Sequence, residues 1–232
     1  MKIIGLLGGM SWESTAQYYK IINEEVRHKL GGLHSAKILI YSVNFAEISK
    51  RQHDGDWDGA AQELISAAQA LVRGGAECLL ICTNTMHKVA DRVQAALPIP
   101  LIHIADATAM RLKFGGIQRA GLLGTRFTME QDFYIGRLAA HGIEVLVPNR
   151  ENREIVHRVI YDELCKGQIV DSSRAEYRRI IKVMEHEGVG AVVLGCTEIG
   201  LLVGHDDSAV PLFDTTRIHA EAAVKFALGF AS

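Results

Sequence analysis

Gly5-Leu6-Leu7-Gly8 returns later in the chain as Gly121-Leu122-Leu123-Gly124. The run Gly74-Gly75-Ala76-Glu77-Cys78-Leu79-Leu80-Ile81-Cys82-Thr83 returns as Glu187-Gly188-Val189-Gly190-Ala191-Val192-Val193-Leu194-Gly195-Cys196. A looser echo pairs Pro100-Leu101, followed by Ala105-Asp106, with Pro211-Leu212, followed by Asp214-Thr215. Generic strand–glycine patterns can recur by chance. Three patterns in the same order at nearly the same offset point instead to two similar halves. With the apolar runs in register, Thr83 is equivalent to Cys196, and Asn84 to Thr197.

Each half alternates short apolar runs with longer amphipathic stretches. Strands are expected at Ile3–Leu7, Ala36–Ser42, Ala76–Cys82, Leu101–Ile104, Ala120–Leu123, Ile143–Val147, Ala191–Leu194 and Pro211–Phe213. Helices are expected near Trp12–Lys29, Trp57–Val72, His87–Ala95, from Asp106, and near Met129–His141, Arg153–Lys166, Arg174–His186 and Thr215–Leu228. Apolar runs without polar alternation suit strands covered on both faces, hence mostly parallel sheets in an α/β fold. In such sheets ligands sit beyond the carboxyl ends of the strands. Two facing lobes would therefore aim Cys82-Thr83-Asn84-Thr85 and Gly195-Cys196-Thr197-Glu198 into one cleft.

Composition removes other classes. A net charge of −2 leaves no electrostatic footprint for nucleic acid. No run of about 18 apolar residues offers a membrane span. The N-terminal apolar run is too short and too glycine-interrupted for a secretory signal, so a cytoplasmic protein with reduced thiols at Cys78, Cys82, Cys165 and Cys196 is expected.

Cys196 stands where a strand gives way to polar residues, a place where backbone N–H groups can stabilise a thiolate. The alternative is an inert buried thiol. Cys82, one residue before Thr83, points to the other face and reads as core, as does Cys78. Cys165 reads as packing. No cysteine–histidine spacing suggests a metal site. The turn Gly8-Gly9-Met10-Ser11 presents N–H groups to an anion, with Ser11 as N-cap. It lacks the dinucleotide glycine spacing, so a small carboxylate suits it better. Thr125, Arg126 and Thr128 form the equivalent turn of the second half and otherwise serve as ordinary caps.

At these residues the chain resembles the cofactor-independent aspartate/glutamate racemases over nearly its whole length. The carrying motifs are Gly5-Leu6-Leu7-Gly8-Gly9-Met10, Thr83-Asn84-Thr85-Met86-His87, Gly121-Leu122-Leu123-Gly124-Thr125 and Gly195-Cys196-Thr197-Glu198. The resemblance implies two pseudo-symmetric Rossmann-like lobes, residues 1–105 with 215–232 and residues 106–214, flanking an active-site cleft. It implies exchange of a substrate α-proton between two opposed residues, without pyridoxal phosphate, other cofactor or metal, and it implies a homodimer. Met10, Ser11, Thr125 and Thr128 would contact the substrate. Asn84, Thr85 and Thr197 would hold its α-carboxylate. Arg51 and Lys166, unless merely solvated surface charges, would meet its acidic side chain, with Gln52 replacing or assisting Arg51.

The chain departs from the family where Cys precedes Asn-Thr: here that position is Thr83, as in members that resemble L-selective aspartate/glutamate racemases. A thiol has a pKa of ~8.5, whereas a Thr hydroxyl is far less acidic. Cys196 is therefore a credible base and Thr83 a donor only, so a kinetic preference for the L-substrate is expected. Two rivals remain: a single-Cys decarboxylase or isomerase of the same superfamily, and a carboxylate-binding protein that has lost its chemistry.

Overall fold

The computed structural model describes residues 1–230. The chain divides into two compact units, Met1–Ile104 with His219 onward, and Ala105–Ile218. The divisions fall in the first turn of one helix and within the last helix.

The first unit opens with β1 (Ile4–Gly8), α1 (Trp12–Leu30), β2 (Ile38–Ser42), α2 (Phe45–Asp54), α3 (Trp57–Arg73) and β3 (Cys78–Ile81). A 3-10 turn, Thr85–Val89, then leads into α4 (Ala90–Ala95). Its sheet is parallel in the order β2-β1-β3, and Leu101 adds a single parallel bridge to Leu79. Side chains alternate across it. Leu7, Leu79 and Ile81 pack with α2, α3 and α4, while Ile4, Leu6, Cys78, Leu80 and Cys82 pack with α1 and the last helix.

The second unit runs through α5 (Ile104–Phe114), β4 (Arg119–Gly124), α6 (Arg126–Glu130), α7 (Asp132–Ala140), β5 (Glu144–Leu146) and α8 (Arg150–Asp162). A 3-10 turn at Leu164–Lys166 is followed by α9 (Asp171–His186), β6 (Ala191–Gly195), α10 (Ile199–Leu202) and β7 (Leu212–Asp214). The chain then enters α11 (Thr215–Leu228). This sheet is also parallel, in the order β5-β4-β6-β7. No helix among the described residues is long and apolar enough to cross a membrane.

Sheet register reproduces the sequence repeat. Gly5 pairs with Leu79 and Leu7 with Ile81 in the first unit; Gly121 pairs with Val192 and Leu123 with Leu194 in the second. Equating Gly5 with Gly121 therefore equates Cys82 with Gly195 and Thr83 with Cys196. The Leu79–Leu101 bridge matches the Val192–Leu212 pairing in the same way.

Several expected elements differ. Leu101–Ile104 is a bridge rather than a strand, and α5 starts at Ile104, two residues before the expected Asp106. The helix expected over Met129–His141 is two helices, separated by the extended backbone of Gln131. That expected over Arg153–Lys166 breaks at Glu163. Helix α2 was not expected, because only Ile48 and Gln52 are buried along it and its apolar stripe is thin.

The turn after β1 depends on one glycine. Gly9 has φ +91°, a region L side chains rarely adopt, and a Cβ there would run into the backbone of Val43. Gly9→Ala is expected to cost about 1–3 kcal/mol of unfolding free energy, read as a lower urea midpoint. An unchanged midpoint would show that the turn relaxes freely.

Candidate active site

Parallel pairing places the carboxyl ends of all strands of a sheet at one edge, and each unit's polar cluster lies at that edge of its own sheet. In the first unit Cys82 N–H donates to Leu7 O at 2.9 Å, closing the last rung between β3 and β1. Thr83 then leaves the ladder, its N–H turning back onto Ile81 O at 2.8 Å. Its side chain is nearly enclosed. Asn84 and Thr85 follow, both buried, at the start of the 3-10 turn.

The turn after β1 packs beside this segment. Ser11 caps α1, its hydroxyl accepting from Ser14 N at 3.3 Å. The Ser14 hydroxyl donates to Cys82 O at 3.0 Å and so ties the start of α1 to the end of β3. Met10 is buried in the same apolar cluster as Met86. Gln52 is buried as well, and its amide donates to Met86 Sδ at 3.0 Å.

Arg51, its neighbour on α2, is engaged elsewhere: its Nη1 pairs with Asp56 at 2.5 Å and its Nε with Glu63 at 3.2 Å. The Asp56 hydrogen bond is the largest influence holding this guanidinium above its ordinary pKa. The structure thus places Arg51 near Gln52 in sequence but with its charge already matched by two carboxylates.

In the second unit Cys196 follows the last residue of β6 and is 7% exposed. Its Sγ–H donates to Glu198 Oε2 at 2.9 Å, and the Thr197 hydroxyl donates to the same oxygen at 2.7 Å. Burial, reinforced by the Glu198 charge, pushes the Cys196 thiol well above its ordinary value. The backbone N–H of Glu198 acts on the sulfur in the direction expected of it, but burial and the carboxylate outweigh it, so the expected thiolate is not the resting form. A carboxylate accepting from the thiol favours the protonated form, and removal from water favours it further. Cys165 and Tyr161 flank the group: both pack against the cluster that contains Cys196, and Cys196 and Glu198 contribute to raising the Tyr161 pKa, after burial.

The turn after β4 carries Thr125 and Thr128. Thr125 caps α6, and its hydroxyl lies 3.3 Å from that of Thr128. Thr128 is fully buried, and its backbone N–H donates to the capping Thr125 hydroxyl at 3.4 Å. Lys166 ends the 3-10 turn after α8, exposed and without an ion pair among the described residues.

Cys78 and Cys82 are fully buried on the face of the first sheet that meets α1 and α11. Burial raises the Cys78 thiol to about 12 and moves Cys82 in the same direction. Among the described residues no three His, Cys, Asp or Glu side chains group as a metal site.

The site residues missed in the sequence are Glu198, Ser14 and His87, of which His87 donates through Nδ1 to Thr83 O at 2.8 Å. Glu198 and His87 stand inside the quoted motifs, so their position was the available signal. Ser14 carried none.

Comparison with known proteins agrees with this architecture. Residues 7–223 match the family model described as Asp/Glu/Hydantoin racemase. The structure superimposes with a TM-score of 0.92 on that of a candidate Asp/Glu racemase from Yersinia pestis, 59% identical, covering 98% of this chain and 100% of that one. An aspartate racemase homologue from Pyrococcus horikoshii OT3 is 40% identical with a TM-score of 0.86, at 98% and 100% coverage. The broad specificity amino-acid racemase RacX of Bacillus subtilis (strain 168) is 21% identical over 234 residues, which span 99% of this chain and 100% of RacX.

The Glu198 contact makes a prediction about thiol reactivity. Glu198→Gln removes a negative charge that holds the Cys196 pKa up, so the pH profile of Cys196 alkylation should move to lower pH. Mass-spectrometric mapping after iodoacetamide treatment across a pH series reads this. A profile moving to higher pH, or not moving, would show that Glu198 does not govern the thiol.

Proposed function

Because the chain belongs to the Asp/Glu/hydantoin racemase family, we propose that it interconverts the enantiomers of aspartate or glutamate without a cofactor, Cys196 serving as base toward the L enantiomer and Thr83 as proton donor on the opposite face. Membership makes it a racemase-type isomerase. The observation that carries the finer reading is the matched register. One thiol and one hydroxyl occupy equivalent strand ends, Cys196 after β6 and Thr83 after β3.

The chemistry follows from the two environments. The Cys196 proton passes along its existing hydrogen bond to the Glu198 carboxylate, leaving a thiolate. That thiolate takes the α-proton of the L-substrate, and the electron pair delocalises into the α-carboxylate as an enediolate. Donors from Asn84 and Thr85 stabilise the charge as it develops, joined by the Thr197 hydroxyl as it turns from the Glu198 carboxyl that protonation has neutralised. The Thr83 hydroxyl then delivers its proton to the other face of the α-carbon, solvent reprotonates the alkoxide, and Glu198 gives up the proton it received to solvent, which restores the resting state. A thiol whose pKa is raised yields a strong base once ionised, which suits a weakly acidic α-proton.

Lys166 is assigned to the substrate's distal carboxylate, since among the described residues it carries no ion pair, whereas the Arg51 charge is matched by Asp56 and Glu63. Met10, Ser11, Gln52 and Thr125 complete the binding residues, with Thr128 supporting Thr125. A cytoplasmic homodimer completes the proposal.

Enantiomers have equal free energy in water, so kcat/KM for racemisation must be the same in both directions. The L preference lies instead in exchange. A carbanion formed by Cys196 can be reprotonated by Cys196 once the thiol has traded the abstracted proton with solvent, and in this reading that return outpaces donation by Thr83, so L-substrate exchanges its α-proton faster than it inverts.

Two variants test the assignment. Cys196→Ala should lose both exchange and inversion by about 10²–10⁴-fold, the usual worth of a positioned base. Thr83→Cys should gain exchange with retention from the D enantiomer, where wild type shows almost none, because the new thiol supplies a base on that face. NMR in deuterium oxide reads exchange, and chiral chromatography reads inversion. A decarboxylase would release carbon dioxide from a malonate instead, and a binding protein would show no exchange; full activity in Cys196→Ala would refute the base.

A further inference from the structure

Four buried rings of the first unit form a connected group behind Thr83. The Tyr18 hydroxyl lies 2.8 Å from His219 Nδ1, and His219 Nε2 lies 2.6 Å from Ile102 O. His219 and His103 both pack edge-on against His87, with ring centroids 5.6 and 4.5 Å away. His87 Nδ1 lies 2.8 Å from Thr83 O, and Ile104 N–H reaches His87 Nε2 at 3.3 Å.

The partners decide the protonation of both rings that bridge. A carbonyl oxygen can only accept and a backbone N–H can only donate. His87 therefore carries its proton on Nδ1 and is neutral. His219 carries its proton on Nε2, toward Ile102 O, and accepts from the Tyr18 hydroxyl. Burial lowers the His219 pKa to about 3, so this ring also stays neutral.

This arrangement holds one atom of the reacting segment. Thr83 has left the β3 ladder, and its N–H and C=O both bond locally, one to Ile81 O and the other to His87 Nδ1. The orientation of the peptide after Thr83 is set by that imidazole. The other side of the imidazole is pinned by the Ile104 N–H, and the His103 and His219 rings pack against it. A neutral ring with both nitrogens occupied cannot rotate without breaking two buried hydrogen bonds.

Resting on the racemase reading above, we propose that His87 is a positioning residue for the inversion step, fixing the Thr83 backbone so that its hydroxyl meets the α-carbon face opposite Cys196. His87 touches no substrate in this account. Its loss should therefore spare the proton abstraction performed by Cys196 and impair the donation performed by Thr83.

His87→Phe keeps a planar ring but removes the donor, and His87→Asn restores an N–H at the place of Nδ1. In His87→Phe, inversion of the L-substrate should fall about 10–100-fold, the scale of an ångström-sized misplacement, while L exchange with retention stays within about twofold. His87→Asn should recover most of the inversion. A merely space-filling role would lower exchange and inversion together, or leave both unchanged in His87→Phe, and either result overturns the proposal. A second measurement needs no variant: ¹⁵N NMR of wild type should show a protonated Nδ1 and an unprotonated Nε2 for His87. The opposite tautomer or an imidazolium would overturn the proposal. Loss of exchange in Cys196→Ala, alongside an unchanged exchange-to-inversion ratio in His87→Phe, would leave the racemase reading standing and sink the His87 role alone. Exchange that survives in Cys196→Ala would remove both.

Discussion

In each unit the central strand is held to its neighbour by an unbroken run of parallel pairings, Ile4 with Cys78 through Leu7 with Ile81 in one, Ala120 with Ala191 through Gly124 with Gly195 in the other. Side chains alternate along a strand, so a slip of one residue would send every side chain to the opposite face. In the first unit that slip would exchange the places of Cys82 and Thr83, burying the hydroxyl against α1 and α11 and presenting the thiol at the strand end. The apolar contacts of Leu7, Leu79 and Ile81 on one face, and of Leu6 and Leu80 on the other, forbid it. The register of the sheet therefore selects which group stands at each strand end.

Past the strand ends, polar contacts take over from packing. Thr83 is turned by its own N–H and held by His87, while Cys196 is bound to Glu198. The two environments differ in kind. The thiol has a carboxylate within hydrogen-bonding distance to receive its proton. The hydroxyl has a backbone held in place and is a donor by its own chemistry. In the proposed mechanism this asymmetry separates abstraction from donation, so that one half of a pseudo-symmetric chain acts as base and the other as acid.

The architecture was legible because the strands are short and continuous: Leu79-Leu80-Ile81 and Val192-Val193-Leu194 are apolar on both faces, as a covered parallel strand requires. Helix α2 escaped the reading because little of it is buried, although Asn44 caps its start and Gly55 ends it in the left-handed region. The state of Cys196 was also not legible. Its position in the motif is local information, but its pKa depends on how deeply the fold buries it and on where the Glu198 carboxylate turns. Arg51 shows the same limit: as a sequence letter it is a free cation, and only the fold brings Asp56 and Glu63 to it.

The central claim is that the two strand ends are chemically unequal, one a base and the other a donor. Wild-type enzyme in deuterium oxide, followed separately from L- and D-glutamate and from L- and D-aspartate at early times, tests it most directly. The account predicts that the L enantiomer takes up deuterium at the α-carbon faster than it inverts, while the D enantiomer takes it up no faster than it inverts. Equal uptake with retention from both enantiomers would mean two competent bases and would contradict the account.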